Sequence, residues 1–318
     1  RPYGIIANPA IEPKSIFISA FATAPLAAVP EFAFKDEIED IQTGVNALAK
    51  LTNGGVHFSL SSENYSGTPL HKIENVIQHV FSGKHPAGNV GVQISHISPI
   101  MKGDTVWTVS LLLVAAIGKL FNTGKYDMTR KVAVTGPKAI DPSYVDALPG
   151  IAMKDLKEFY DNSANDLRFI SGDVLTGESV GENGFLGFFD NQVTFLHEGT
   201  EREVLGWAKP FRCKKFSSSH TYFSWLTPKK TYDMDTNFNG GPRAFVMSDV
   251  YSKVLPMDIY PVYLAKACLA GDIDKMEKFG IYEVLPEDLA LCEYVDPSKN
   301  DIQEMIQKGI DLMLKEMA

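Results

Sequence analysis

Cysteine is scarce. Cys213, Cys268 and Cys292 are the whole complement in 318 residues, and they lie far apart. They form no C-x-x-C and no disulfide framework, which points to a reducing compartment. An excess of base is lacking too: 30 Lys+Arg stand against 39 Asp+Glu, a net charge of −9. Such a chain is a poor match for a phosphate backbone, so nucleic acid is set aside as a partner. Long hydrophobic runs are missing. The longest, residues 106–118, is bordered by Lys102, Asp104 and Lys119. It falls short of the ~20 residues that cross a bilayer and is expected as a buried core element, with no transmembrane segment of the chain's own. No secretory signal is visible. Arg1 stands first instead of Met, so the chain is expected to start partway through a longer protein.

Several catalytic signatures are also absent. There is no G-x-G-x-x-G after a strand and no G-x-x-x-x-G-K-[ST], which removes the common nucleotide fingerprints. Gly181, Gly184 and Gly187 have the wrong spacing and are expected in turns. No G-x-S-x-G elbow exists, which weakens a hydrolase reading. None of the seven histidines belongs to an H-E-x-x-H. His71 and His79 are expected on one helix but two turns apart, too far to share a metal. Asn64-Tyr65-Ser66 matches a glycosylation acceptor, at odds with the expected compartment.

What is present is a folded, multidomain composition, 45% hydrophobic and 22% charged. Strand and helix signals alternate through the first half. Residues 15–20 read as a strand, and Ile38, Ile41, Val45, Leu48 and Leu51 line one face of a helix stopped by Asn53-Gly54-Gly55. Residues 56–60 alternate as a strand. Leu70, Ile73, Val76, Ile77 and Val80 predict a second helix, Val90, Val92 and Ile94 a third strand, residues 105–121 a buried helix, and residues 131–135 a further strand. This alternation predicts a mostly parallel α/β sheet covered on both faces. Glycine turns then dominate to about residue 200, with strands near 168–171 and 192–196. From Pro256 helical signals return, including a capping-box variant, Asn300 with Gln303.

Two stretches carry candidate contacts. Lys84-His85-Pro86-Ala87-Gly88-Asn89-Val90 is read as joining a helix to a strand. It is either a tight connection or a loop presenting a cation and an imidazole to a ligand. Residues 207–230 interleave Trp207, Phe211, Phe216, Tyr222, Phe223 and Trp225 with basic residues. They could stack on bases, but at this net charge a subunit interface or the packing of a β module is the better reading.

Taken together, these segments resemble the A subunits of sodium-translocating NADH:quinone oxidoreductases. The resemblance is carried by Lys84-His85-Pro86-Ala87-Gly88, Ala116-Ile117-Gly118-Lys119-Leu120-Phe121, Ile170-Ser171-Gly172-Asp173-Val174-Leu175-Thr176-Gly177, Phe185-Leu186-Gly187, Leu205-Gly206-Trp207, Asn239-Gly240-Gly241-Pro242-Arg243-Ala244, Leu269-Ala270-Gly271-Asp272 and Glu287-Asp288-Leu289-Ala290-Leu291-Cys292. Their order and spacing span nearly the whole chain. The resemblance implies a fold akin to the flavin-binding subunit of respiratory complex I. That means an α/β domain at 1–147, a small β-grasp module of the SLBB type at 148–200, an irregular β-rich connector at 201–255 and a C-terminal helical bundle at 256–318.

Within that implied fold the chemistry departs from the relatives. A cluster needs about four thiolates, and the implied bundle has only Cys268 and Cys292, with Asp296 where a Cys would precede Pro297. The strand end Phe21-Ala22-Thr23-Ala24-Pro25-Leu26 has alanines where flavin-binding relatives carry acids. The resemblance therefore implies a peripheral subunit on the cytoplasmic face of the bacterial inner membrane. It would hold no flavin, cluster or metal of its own and would partner the other subunits of a complex that uses NADH, flavins, iron–sulfur and quinone. Its direct contact with quinone is left open. Interface or quinone-region candidates are Lys84, His85, Lys119, Trp207, Arg212 and Arg243. The alternatives are a stand-alone ligand-binding or adaptor protein using the SLBB module and, less supported, an NADH-oxidising flavoenzyme.

Overall fold

A computed structural model describes residues 1–63, 67–161, 166–200, 206, 215–217, 223–246 and 249–317. The strands are β1 (Ile16–Ala20), β2 (Val56–Ser61), β3 (Ile77–Phe81), β4 (Trp107–Thr108), β5 (Arg130–Thr135), β6 (Ser143–Ala147), β7 (Leu167–Ser171), β8 (Glu178–Ser179) and β9 (Gln192–His197). The helices are α1 (Pro30–Ala33), α2 (Ile38–Leu48), α3 (Val90–Ile97), α4 (Leu111–Thr123), α5 (Pro261–Ala270), α6 (Ile273–Phe279), α7 (Ala290–Val295) and α8 (Ile302–Met317). No helix among the described residues is long and apolar enough to cross a membrane.

The first sheet is parallel throughout, in the order β3-β2-β1-β4. Period-two alternation divides its side chains between two layers. Ile16, Ile18 and Ala20 of β1 and Val56, Phe58 and Leu60 of β2 join one core with α2 and α4. Phe17 points the other way, into a second core built from α3 and residues 251–313. The second sheet is mixed, in the order β6-β5-β9-β7-β8. Its core centres on Tyr160, Phe169 and Phe195, whose ring centroids lie 5.0–5.5 Å apart.

Four expectations are corrected. Residues 70–80 are not one helix. Thr68 caps a short 3₁₀ turn over Pro69–Lys72 through Leu70 N–H, Asn75 takes a left-handed φ of 61°, and the chain runs on as β3. A left-handed residue ends helical propagation. Residues 90–97 form a helix, not a strand. Gly91, Val92, Gln93 and Ile94 are all buried, and four consecutive buried residues blur the amphipathic period. The strand at 131–135 belongs to the second sheet, not the first. It pairs with β6 and β9. Residues 105–121 divide into the short β4 and α4, whose Ser110 accepts from Leu113 N–H at the N-cap.

Candidate functional site

From β1 the crossovers pass to β2 and β3, then reverse across the sheet to β4. A ligand cleft in an open α/β sheet lies outside the strand ends where that reversal occurs. Such a cleft is present here, with a volume of about 890 Å³. The β1 exit, Phe21 to Ala24, forms one wall, and residues 105–113 with the start of α4 form the other. Residues 1–11 line its mouth together with Phe189 from the second sheet. Three charged side chains line it, and each sits in an ion pair. Arg1 contacts Glu287 and Asp288 at 2.8 Å, and Asp104 contacts Lys14 at 2.9 Å.

The connection from β3 to α3 closes the inner end of the cleft. The structure corrects the expected helix-to-strand order here. Gly88 N–H donates to Thr23 Oγ1 at 2.9 Å, and His85 Nδ1 lies 3.2 Å from the same oxygen. The other ring nitrogen, Nε2, is buried without a partner. Burial pushes the imidazole below its usual pKa, despite the opposing charges of Asp173 and Asp288. A Cβ on Gly88 would stand 2.6 Å from Thr23 Oγ1 and 2.7 Å from Phe21 O, so the close approach requires glycine. Behind this turn Gln93, 1% exposed, donates through Nε2 to Ser19 Oγ at 3.0 Å and Ala87 O at 3.2 Å.

The predicted residues do not gather at one place. His85 faces inward beside the cleft, while Lys84 is exposed. Lys119 lies on α4 and pairs with Glu37 at 3.1 Å, and burial raises the Glu37 pKa. Arg243 is exposed, and its backbone N–H donates to Ser298 O at 2.8 Å. Trp207 and Arg212 lie outside the described residues, as do Phe211, Cys213, Tyr222 and the Asn64-Tyr65-Ser66 motif. Phe223 and Trp225 are exposed at 66% and 53%. His79 sits on β3, not on a helix with His71, and its Nε2 meets His57 Nδ1 at 2.9 Å. Sequence reasoning missed Arg1, Gln93, Phe189 and Asp288. Only the order of the strands could have pointed to the first three.

The family model for the NqrA second alpha/beta domain matches residues 1–126. In Rhodopirellula baltica, the A subunit of the Na⁺-translocating NADH-quinone reductase is 36% identical over 317 residues, covering 99% of this chain and 69% of the relative. Its counterpart in Alcanivorax borkumensis is 37% identical, covering 98% and 68%, and that of Vibrio parahaemolyticus 35%, covering 99% and 70%. The chain belongs to the family of these A subunits. Such coverage does not favour a stand-alone adaptor. Among solved structures, the H₂-reduced NAD⁺-reducing [NiFe]-hydrogenase is similar at 11% identity and a TM-score of 0.49, covering 97% of this chain and 55% of that one. The air-oxidized form gives 12% and 0.44, covering 59% and 41%.

Two groups, an iron–sulfur cluster and a flavin, are tested against the residues present. A cluster would need thiolates. Cys268 Sγ packs on Gly309 of α8, where a Cβ would collide with it. Burial pushes both the Cys268 and the Cys292 thiol up to about 12. Asp296 is occupied as a turn acceptor for Ser298 N–H, Asn300 N–H and Asn300 Nδ2. The β1 exit offers a flavin only the Thr23 hydroxyl, already engaged with Gly88 and His85. Among the described residues, no group of three or more His, Cys, Asp or Glu side chains is placed to hold a metal ion.

Proposed function

We propose that the chain is a peripheral subunit of the complex that couples NADH oxidation and quinone reduction to Na⁺ export. In this reading it docks from the cytoplasmic side, carries no redox centre of its own and uses the switch-point cleft to shape the quinone region. The observation that carries the reading is the cleft's composition. Ala22, Ala24, Leu113 and Phe189 line it, and each charged lining side chain is already paired. Such a cavity suits an uncharged, largely apolar ligand. The buried thiols and the engaged Asp296 support the absence of a cluster.

The division into units is part of the same proposal. A first α/β unit ends near residue 126, because β5 and β6 pair in the second sheet. The second sheet to about residue 200 is an SLBB-type module, residues 201–255 connect, and helices from 256 form a bundle like that of the complex I flavin subunit. Exposed Lys84 and Arg243, with Trp207 and Arg212, are docking candidates. His85 is a cleft candidate, and Lys119 acts through its pair with Glu37.

The test fills the cleft. Ala24→Trp in the assembled complex is expected to lower quinone reduction about tenfold or more, with NADH oxidation by an artificial acceptor unchanged. Unchanged quinone kinetics in an assembled variant would overturn the reading.

A further inference from the structure

One large apolar ring in the cleft lining is left mostly open. Phe189 is 68% exposed, and its ring meets that of Phe188 edge-on, with centroids 5.0 Å apart. The backbone that carries it is nonetheless held firmly. Arg130, 2% exposed, forks from β5 onto two consecutive carbonyls, Nη2 donating to Gly187 O at 2.9 Å and Nη1 to Phe188 O at 2.7 Å. Asp190 accepts from Ser171 Oγ, which in turn accepts from Gly187 N–H at 2.8 Å. A Cβ on Gly187 would collide with the Asp190 carboxylate, so this close approach requires glycine. Asn191 completes the turn, its carbonyl accepting from Ala133 N–H at 2.9 Å. Leaving a phenyl ring in water forgoes the gain of burying it. The core of the second sheet does not include Phe189, so the packing of that sheet does not account for the ring.

The second sheet is also tied to the segment that forms the opposite wall. Gln192, at the start of β9 and 4% exposed, donates through Nε2 to Pro25 O at 3.2 Å. Tyr144 of β6 accepts from Val29 N–H at 2.8 Å, and its ring lies 4.7 Å from that of Phe32. The β1 exit contributes Ala22, Ala24 and Ala27 to the lining, and these short side chains leave the cleft wide. We propose that Phe189 is a specificity-determining residue of the cleft. It is an aromatic platform, supplied by the second sheet, for the planar ring of a quinone-class ligand. A ring presented by a loop that is already ordered packs on a flat ligand with little further loss of freedom. The inference rests on the reading of the cleft as the quinone region and names the side chain that recognises the ring.

The test is steady-state kinetics of the assembled complex with ubiquinone-1 as acceptor. Phe189→Ala is expected to raise the KM for ubiquinone-1 about five- to tenfold, with kcat within about twofold, because a binding contact alone is removed. The exposed position means that its melting temperature changes little. Phe189→Tyr and Phe189→Trp keep the KM near that of the wild type. Phe189→Leu is apolar but not planar, and its KM rises like that of Phe189→Ala. An unchanged KM in Phe189→Ala, or a leucine that serves as well as tyrosine, overturns the inference. Ala24→Trp, measured alongside, separates the two readings. If Ala24→Trp lowers quinone reduction while Phe189→Ala does nothing, the cleft reading stands and the platform falls. If both variants behave like the wild type, the cleft reading itself fails, and the platform with it.

Discussion

The two faces of the first sheet are built by different rules. One face presents Ile16, Ile18, Ala20, Val56, Phe58 and Leu60 to α2 and α4 in an apolar core. On the other face Phe17 stacks on His57 at 4.5 Å, and His57 stacks on His79 at 5.1 Å, while Ser19 reaches the Gly88 carbonyl. The aliphatic face needs only complementary volume. The mixed face is held by hydrogen bonds, with partners from α3, the Lys84–Asn89 connection and the β1 exit. The cleft therefore opens beside the face that was already arranged around hydrogen bonds, and the dry face serves as its support.

Three experiments sharpen that contrast. The largest effect is expected on the dry face. Phe58→Ala should cost about 3–5 kcal/mol in chemical denaturation, since Phe58 is fully buried there. A cost below about 1 kcal/mol would mean this face is not a close-packed core. Next comes the crossing of α2 and α4. A Cβ on Gly118 would collide with the Asp40 carbonyl, and one on Gly44 with the Val114 carbonyl. Gly118→Ala should lower stability by about 1–3 kcal/mol through backbone displacement, with quinone reduction in the complex falling only as far as folded subunit is lost. A neutral melting temperature would show that the helices can separate without cost.

The smallest effect belongs to the mixed face and depends on pH. Burial lowers the pKa of His57, His79 and His85, and for His57 the neighbouring His79 lowers it further. The unfolded chain then binds more protons than the folded one below the ordinary histidine value of about 6.5. Stability is therefore full above that pH, falls as pH drops from it toward the folded values, and levels off below them. His79→Gln should flatten the fall between about pH 6.5 and 5 in thermal melts. An equally steep fall in the variant would remove the pair as its source.

The sequence was readable where one layer imposes one period. The strands at 16–20 and 56–61, α2 and the C-terminal helices follow their apolar spacing. Gly271 and Gly280 close α5 and α6 in left-handed conformations. It misled at β3 and α3 because edge exposure and a run of consecutive buried residues each obscure the period. Ile77 and Val80 are half exposed on the edge strand, and Gly91 to Ile94 of α3 are buried in succession. The loop 84–88 was visible as a motif, but the side on which its histidine would be held was not.

Composition, periodicity and the short motifs determined by themselves that the chain is acidic, that strands and helices alternate in its first half, and which family its segments resemble. Those properties are local, or sums over residues. The tertiary structure alone decided the cleft. Strand order sets where the crossovers reverse, and Arg1 meets Asp288 across 287 positions of sequence. Contacts at such separation depend on how sheets and helices close around one another, and no window of neighbouring residues contains that information.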